Sequence, residues 1–259
     1  MSKVFSSKYL RWFVTIVLAG LLYYYVPATV SLFQAKAFVK DKPEFWQVPQ
    51  TLALDRADAA DGKKLSYFGL SLSTPWQDTK VLRQNERVVL LEFHNTRSMF
   101  FFATNEGYNS TRIVRENDKN GSVEATFGVE AMKSNFDLKR AVLNTSPAGL
   151  SFSLRRDQMI RQSIFLILKS ADVSSRRTGI FEFQMGKVRG FQYGDPATSD
   201  AVVLDVFDQH DRLHKIIVAT VKNAPTRLTQ SEVNTILLSL DSDGSDPAKS
   251  MPDKSIASK

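Results

Sequence analysis

One uncharged stretch divides this chain into an N-terminal helix and a separate domain: Trp12-Phe-Val-Thr-Ile-Val-Leu-Ala-Gly-Leu-Leu-Tyr-Tyr-Tyr-Val-Pro-Ala-Thr-Val-Ser-Leu-Phe33. An α-helix needs roughly 20 apolar residues to cross the hydrocarbon core of a bilayer, and this stretch runs for 22 residues without a charge. Trp12 stands beside Arg11 at one end, where an interfacial aromatic residue is expected. Residues 12–33 are therefore predicted to be a transmembrane anchor that follows a cytoplasmic N-terminus of residues 1–11.

The predicted anchor contains Pro27, which removes a backbone donor and favours a kink or an end of the helix. The spanning part is therefore predicted to cover residues 10–26, with residues 27–33 continuing along the interface. The aromatic and tyrosine-rich positions predicted to hold the anchor in the membrane are Trp12, Tyr23, Tyr24, Tyr25 and Phe33.

The charges that flank the anchor bear on its orientation. Three basic residues precede it and three follow it closely: Lys3, Lys8 and Arg11, then Lys36, Lys40 and Lys42. Basic residues favour the cytoplasmic side. The two counts are equal, but the free amino terminus and the lack of upstream acids favour the N-terminal side as the cytoplasmic one. The N-terminus is predicted to lie in the cytoplasm and the soluble domain outside it, in a periplasmic or extracellular position.

A cleaved secretory signal is the main alternative to a retained signal-anchor. The sequence Ala35-Lys36-Ala37 matches an Ala-x-Ala cleavage site. The apolar run exceeds the roughly 7–15 residues of a signal-peptide core, which favours retention. A secreted protein that begins after Ala37 and a buried core helix both remain open at this point.

The composition limits the classes of function. Hydrophobic residues make up 43% and charged residues 24%, as in ordinary globular proteins. The absence of cysteine excludes disulfides, thiolate zinc sites and a cysteine nucleophile. The net charge is +7, but residues 1–37 hold four basic residues and no acid, which leaves 30 basic against 27 acidic residues elsewhere. Nucleic-acid binding is therefore not predicted.

Residues 65–240 are predicted to fold as one α+β domain with an antiparallel sheet packed by helices, because strands fall in hairpins and helices are segregated from them. Helical spacing predicts helices over residues 134–143, capped by Ser134, and over residues 154–169. Thr229 and Glu232 form a capping box for a terminal helix. The predicted strands are residues 67–73, 87–94, 98–103, 179–184, 188–193, 201–207 and 213–221.

Three further segments are predicted to lie outside this core. Residues 34–64 contain Lys-Asp-Lys-Pro at 40–43 and a charged, alanine-rich run, which indicates a stalk. Residues 104–124 are polar and read as a long loop. Residues 241–259 are rich in Ser, Asp and Lys and are predicted to be a disordered tail.

Both ends of the domain resemble the PsbP-like α+β domains. In Tyr67-Phe-Gly-Leu-Ser-Leu-Ser-Thr-Pro-Trp76 an aromatic-Gly strand runs into a Pro and a Trp, and Ile236-Leu-Leu-Ser-Leu240 closes a terminal amphipathic helix in a similar way. The chain departs from this family in its large helical pair over residues 134–169. The resemblance implies a two-layer sandwich on the trans side of a membrane that acts as an accessory or binding factor rather than a catalyst.

Two groups of residues have side chains suited to catalysis or metal binding. Glu92 and His94 lie two apart on a strand and therefore share a face, as an acid/base pair would. Asp208, His210 and Asp211 lie in a hairpin turn near His214 and carry carboxylate and imidazole ligands. Solvated strand faces and turns have the same composition, and no metal-ligand spacing or nucleophile elbow is matched, so neither a catalytic residue nor a metal or cofactor is assigned.

The stretch Gly190-Phe-Gln-Tyr-Gly-Asp-Pro196 predicts a ligand or partner groove lined by Phe191, Tyr193 and Asp195, with a strand that ends in a turn as the alternative. Arg155, Arg156 and Arg161 form a basic patch that could meet anionic headgroups or face solvent. Together these features predict a membrane-anchored, extracytoplasmic, non-enzymatic binding or accessory module, with the membrane and an envelope protein as partners. A membrane-anchored hydrolase is the alternative.

Overall fold

The predicted hairpins assemble into one large sheet in a computed structural model, which describes residues 7–54, 62–94, 96–103, 124, 128–153, 155–173, 179–221 and 224–242. The strands are β1 Gln50–Thr51, β2 Lys63–Tyr67, β3 Leu70–Thr74, β4 Thr79–Gln84, β5 Val88–Phe93, β6 Arg97–Phe102, β7 Ile180–Met185, β8 Val188–Tyr193, β9 Ala201–Phe207, β10 Leu213–Thr220 and β11 Asp241–Ser242. The α-helices are α1 Ser7–Val39, α2 Asn135–Asn144, α3 Arg156–Asp172 and α4 Gln230–Leu238.

Eight strands form the large sheet in the order β1-β7-β8-β9-β10-β6-β5-β4, and three form a small sheet in the order β11-β3-β2. Neighbouring strands are antiparallel except for β1 and β7, which are parallel. The predicted α+β class, an apolar N-terminal helix followed by a sheet packed with helices, is confirmed.

Both faces of the large sheet are covered at its centre, whereas the edge strand β4 is exposed. Strand β9 reads as Ala-Val-Val-Leu-Asp-Val-Phe, a nearly continuous apolar run, because a central strand that is covered on both sides needs apolar residues at every position. Val202 and Leu204 alternate with Val203 and Phe207 between two separate core clusters. The small sheet and α4 cover one face and α2 covers the other.

The helices form successive layers beyond the second face of the sheet. Helix α2 packs on the sheet through Phe136, whose ring stacks on Phe191 with centroids 5.1 Å apart. Helix α3 packs on α2 through Phe165. Helix α1 then packs on α3, so the N-terminal helix forms the outermost layer of the domain.

Helix α1 continues through Pro27 without a break, whereas the proline rule predicted a kink or an end there. The hydroxyl of Ser31 donates to the Pro27 carbonyl oxygen at 2.9 Å, and that of Thr29 donates to the Tyr25 carbonyl oxygen at 3.0 Å. Hydroxyl side chains and packing against a neighbouring helix allow a helix to continue through proline. The helix therefore does not end at Pro27.

The described part of the predicted stalk packs on the domain. After α1 a single 3-10 turn, Pro43–Trp46, buries the ring of Phe45. Strand β1 then joins the edge of the large sheet beside β7, and the Leu52 amide donates to the Glu182 carbonyl oxygen at 2.8 Å. Composition indicated a solvated segment, but one buried aromatic ring and two strand residues attach it to the core. Residues 55–61 lie outside the described residues.

The helix boundaries follow the caps that the sequence predicts. Ser134 caps α2 by accepting a hydrogen bond from the Asp137 amide at 3.0 Å. Helix α3 begins two residues later and ends three residues later than predicted. The predicted loop over residues 104–124 lies outside the described residues except for Glu124, and the predicted tail does so after β11, which pairs with β3.

We expect Thr229→Ala to destabilise the domain by about 1 kcal/mol, because an N-cap hydroxyl is worth about that much. The Thr229 hydroxyl accepts from the Glu232 amide at 3.2 Å, and Glu232 accepts from the Thr229 amide at 2.8 Å, which completes the predicted capping box. Urea unfolding of the detergent-solubilised protein measures the loss. Thr229→Ser keeps the hydroxyl and should retain the stability of the native chain; an equal loss in both variants would contradict the role of the cap.

Candidate functional site

The first half of α1 exposes apolar side chains around its whole circumference. Tyr23 is 87% exposed and Trp12 is 63% exposed. A helix that is apolar on every side and is not buried in protein has the character of a membrane span. Among the described residues, α1 is the one helix long and apolar enough to cross a bilayer. Its exposed large apolar residues up to Pro27 are Trp12, Phe13, Val14, Ile16, Val17, Leu18, Leu21, Leu22, Tyr23, Tyr24 and Val26.

The second half of α1 is attached to the domain along one face. Its four buried residues recur at intervals of four, three and four, which places them on a single side of a helix: Ala28, Leu32, Ala35 and Val39. They pack with Met159 and Leu166 of α3. The two alanines let the helices approach closely. The same helix therefore provides both the candidate span and one wall of the domain. We call this contact between α1 and α3 the junction.

We expect Leu32→Ala to weaken the junction, because Leu32 is buried between two helices and a Leu→Ala change leaves a cavity. The expected loss is about 2 kcal/mol, the low end for such a change, since two surface helices can relax toward each other. This corresponds to a fall in Tm of roughly 4–8 °C for a domain of this size. Val30→Ala removes an exposed side chain from the same turn and should leave Tm unchanged; equal values for the two variants would contradict the packing.

A fully buried ammonium group fastens the junction to the rest of the fold. Lys169, at the end of α3, donates from Nζ to the carbonyl oxygens of Leu143 and Thr145, both at 2.9 Å. The same Nζ donates to the carbonyl oxygens of Phe45, at 3.2 Å, and Gln47. Two of these oxygens follow α1 and two belong to the C-terminal end of α2, so one side chain connects three segments.

The charge of Lys169 suits this role. Burial lowers its pKa to about 8, so the ammonium form still predominates at neutral pH. The last carbonyls of α2 have no partner within their own helix and carry the negative end of its dipole, which favours a cation there. Lys169 therefore compensates backbone groups that would otherwise be buried without a donor.

Cation–π contacts lie at both ends of the junction. The Lys42 ammonium lies 3.5 Å from the centroid of the Phe38 ring where α1 ends. The Arg156 guanidinium lies 5.1 Å from the centroid of the Tyr24 ring where α3 begins. Because Lys169 bonds the segment after α1 from the end of α3, the two helices run side by side in the same direction.

A second buried charge cluster joins α2 to the centre of the sheet. Asp205 of β9 places Oδ2 2.6 Å from Nζ of Lys139 and Oδ1 3.1 Å from Nζ of Lys215. Burial alone would raise the pKa of Asp205, but the two ammonium groups outweigh it and lower this pKa to about 2. Lys139 is completely buried, and this carboxylate lies against its charge inside the fold.

The turn predicted as a metal-binding alternative is held by internal hydrogen bonds. Asp208 accepts from the amides of His210 and Arg212, both at 2.9 Å, and lies 2.6 Å from the Arg212 Nε and 3.2 Å from the His214 Nε2. Burial opposes ionisation of Asp208, but the hydrogen bonds from His214 and Arg212 lower its pKa well below the usual range. Asp208 therefore anchors the β9–β10 turn.

Asp211, the other carboxylate of that turn, lies at the start of α2. It accepts hydrogen bonds from the amides of Asn135 and Phe136, the latter at 3.2 Å, and so satisfies two donors of the first helical turn. His210 contacts only Gln209 through its ring in the described bonds. Among the described residues there is no group of three or more potential metal-ligating side chains.

The predicted acid/base pair lies at the surface end of a strand, whereas the aromatic residues of the predicted groove are buried in the core. Glu92 is the last residue but one of β5, and His94 follows the strand on the surface. Within the described part of the chain, neither side chain is bonded to a serine side chain or to a second carboxylate. Phe191 and Tyr193 are buried in the core under α2. Asp195 accepts from the Ala197 amide at 2.8 Å and shapes a turn.

Gly190 explains part of the pattern that predicted the groove. A Cβ at this position would lie 2.1 Å from the Asp205 carbonyl oxygen. Strand β8 therefore approaches β9 more closely than a residue with a side chain would allow. The glycine at this position is therefore explained by close packing of two strands. This agrees with the alternative interpretation of residues 190–196, a strand that ends in a turn.

Sequence reasoning assigned no role to Lys169, Lys139 or Asp205. A usable signal was present for two of them. Asp205 interrupts an apolar strand, and Lys169 continues the apolar spacing of α3 from Phe165 and Leu166. A charged residue at a core position indicates a buried ionic contact, although its partners depend on the tertiary fold.

Comparison with protein-family models, curated proteins and solved structures gives no match to this chain.

Proposed function

We propose that this chain is a membrane-anchored, extracytoplasmic, non-enzymatic module that holds a binding surface at a fixed orientation to the membrane for an envelope protein partner. The observation that carries the proposal is the double use of α1, which is apolar on all sides up to Pro27 and buried along one face after it. A domain built around its own anchor cannot rotate freely on a linker, and this suits an accessory factor that must present one surface to a neighbour.

The junction supports a retained anchor over a cleaved signal. Cleavage after Ala37 would remove three of the four buried residues of α1, namely Ala28, Leu32 and Ala35. The side chains of Met159 and Leu166 would then lose their cover. Exposure of such apolar surface costs roughly 25 cal/mol per Å², so the domain is stabilised by keeping the helix.

A non-enzymatic role is supported by what the buried and half-buried charged groups do. Asp208 and Asp211 bond backbone amides, Asp205 balances two lysines, and Lys169 bonds four carbonyl oxygens. Each of these groups has a structural role at a junction between elements. The resemblance to PsbP-like domains favours the same kind of accessory function.

The proposed topology is tested with single cysteines, since the native chain has none. Lys40→Cys lies just beyond α1 at an exposed position and should react with a membrane-impermeant maleimide in intact cells. Ser2→Cys should react only after the membrane is permeabilised. The reverse pattern would place the domain in the cytoplasm, and reaction of both would contradict a retained span.

The binding role is tested by photo-crosslinking of the full chain in its native membrane, with the crosslinker at exposed positions in separate parts of the large sheet, such as Lys80 in β4 and Lys187 in the β7–β8 turn. We expect one or more discrete adducts from one of these positions and none from the other. Turnover of ester, phosphate or peptide substrates by the purified full chain, with no adduct from any position, would contradict the proposal and favour the anchored hydrolase.

A further inference from the structure

The domain limits the length of α1 that lipid can surround. Every residue from Trp12 to Tyr24 is exposed. Cover begins at Tyr25, which is partly buried against the junction, and Ala28 is completely buried. We call residues 12–24, the part of α1 before this cover, the belt. Its 13 residues extend for about 20 Å along the helix axis.

Charged residues of α3 begin where the belt ends. The Arg156 guanidinium lies 5.1 Å from the centroid of the Tyr24 ring. Asp157 follows directly, and Arg161 lies about one turn further along α3. The side chains of Asp157 and Arg161 are 63% and 32% exposed. Charged groups outside the protein interior are costly in hydrocarbon, so the hydrocarbon core has to end close to the height of Tyr24.

These limits define the thickness of bilayer that the packed helix fits. Arg11, the last charged residue before the apolar run, precedes Tyr24 by 13 residues, or about 20 Å. If the Arg156 charge were displaced by its full 5.1 Å along the axis, the distance would be about 25 Å. An average hydrocarbon core is about 30 Å thick. With the junction closed, α1 is therefore too short for an average bilayer by about 5–10 Å.

Two rearrangements relieve such a mismatch. The bilayer can become thinner around the helix, at a modest cost for each ångström. Alternatively, α1 can separate from α3, so that its later residues also enter the core. Separation uncovers Met159 and Leu166, which are both completely buried. It also pulls on the segment after α1 that Lys169 holds. The packing of the junction therefore favours a thin bilayer over an open junction.

Resting on the proposed anchor, we propose that the belt fits a bilayer thinner than average, with a hydrocarbon core of about 20–25 Å. The membrane partner of this chain is then a region of short-chain lipids. In such a bilayer the junction stays closed and the charged start of α3 stays in the headgroup layer. A thicker bilayer draws the residues after Tyr24 into the core and opens the junction.

The state of the junction is measured on the full chain in vesicles of dimyristoleoyl, dioleoyl or dierucoyl phosphatidylcholine, which form bilayers of increasing thickness. Hydrogen exchange of residues 159–166 reports on the junction, because α1 covers Met159 and Leu166. We expect exchange to be slow in the thinnest bilayer and about tenfold faster or more in the thickest. Equal exchange rates in the three bilayers would overturn the proposal.

A change in the length of the belt provides the matched control. Insertion of four leucines after Leu22 lengthens α1 by about 6 Å and leaves the residues of the junction in place. The slow exchange should then extend to the dioleoyl bilayer. Deletion of residues 14–17 shortens α1 by the same amount and should accelerate exchange in that bilayer. The same lipid dependence in the native chain and in both variants would contradict a fit between belt and bilayer.

Carbonate washing of the same vesicles separates this proposal from the anchor on which it rests. The native chain should remain in the dimyristoleoyl vesicles. Release from all three kinds of vesicle would overturn the anchor itself. Retention in all three, with equal exchange of residues 159–166, would overturn only the preference for a thin bilayer.

Discussion

Replacement of Asp205 by asparagine is expected to lower the free energy of unfolding by about 3–5 kcal/mol, because loss of one partner of a buried ion pair leaves the other charge uncompensated. Lys139 is completely buried, and its Nζ lies 2.6 Å from the Asp205 Oδ2. Lys215 is partly exposed and can turn outward. Urea unfolding of the detergent-solubilised chain measures the change.

Asp78→Asn is the matched control, since Asp78 is exposed and the substitution is chemically identical. We expect it to change stability by less than about 0.5 kcal/mol. Combination of Asp205→Asn with Lys139→Met should recover part of the loss, because the uncompensated ammonium is then removed. If Asp205→Asn behaved like Asp78→Asn, the ionic link between α2 and the sheet would be refuted.

The same cluster predicts a dependence on acid. The folded-state pKa of Asp205 is about 2, lower than its ordinary value of 3.8, so the unfolded state binds a proton at a higher pH than the folded state. The ionised Asp205 therefore stabilises the folded state by about 2 kcal/mol. This stabilisation is fully present above about pH 4 and is lost as the pH falls toward 2. Unfolding free energies measured from pH 5 to pH 2 should show this fall in the native chain and a smaller one in Asp205→Asn.

Lys169→Met is expected to cost about 2–4 kcal/mol, the second largest effect. The change keeps an unbranched side chain of similar length but removes the donor that four backbone carbonyls share. A buried acceptor without a partner costs about 1–3 kcal/mol. The variant no longer buries a lysine charge, and this gain offsets part of the total cost of the four unpaired carbonyls. Lys187→Met, in the exposed β7–β8 turn, should have little effect.

The part of the chain that loses protection in Lys169→Met distinguishes this lysine from an ordinary core residue. Because Nζ holds the carbonyls of Phe45 and Gln47, its loss should free the segment after α1 first. Hydrogen exchange of residues 42–52 should accelerate in Lys169→Met more than exchange in β9 or β10. Uniform acceleration across the sheet would contradict the assignment of Lys169 to the junction.

Local rules predicted the elements that local interactions determine. Ser134 caps α2 and Thr229 caps α4 because a hydroxyl satisfies amides two or three residues ahead, and no distant contact is needed. The hairpin β9–β10 followed from two apolar runs around a polar turn. Such features can be read from a few neighbouring residues.

The junction could not be predicted in this way, since it depends on residues distant in sequence. Pro27 lies in an uninterrupted helix because α3 supports the residues after it, and composition alone cannot show that support. Phe45 is buried by Leu150 and neighbouring helices, so a segment with the composition of a stalk became part of the domain. The spacing of Ala28, Leu32, Ala35 and Val39 was a readable sign of a packed face.

The residues of the candidate site also differ in how far local sequence predicts their surroundings. Trp12 and the tyrosines at 23–25 were predicted from hydropathy. Trp12, Tyr23 and Tyr24 are exposed on α1, whereas Tyr25 is partly buried against the junction. Phe191 and Tyr193 stood out because they are aromatic, but aromatic residues occur in cores as often as in grooves. Only the position of α2 over β8 shows which of these applies.

The intact mass of the protein recovered from carbonate-washed membranes tests the central claim most directly. Carbonate releases peripheral proteins but leaves spanning helices in the bilayer. We predict that the washed membranes contain a chain that retains residues 12–33, with none of the domain in the supernatant. A soluble chain that begins at Phe38 would show that α1 is removed as a signal and would contradict both the anchor and the junction.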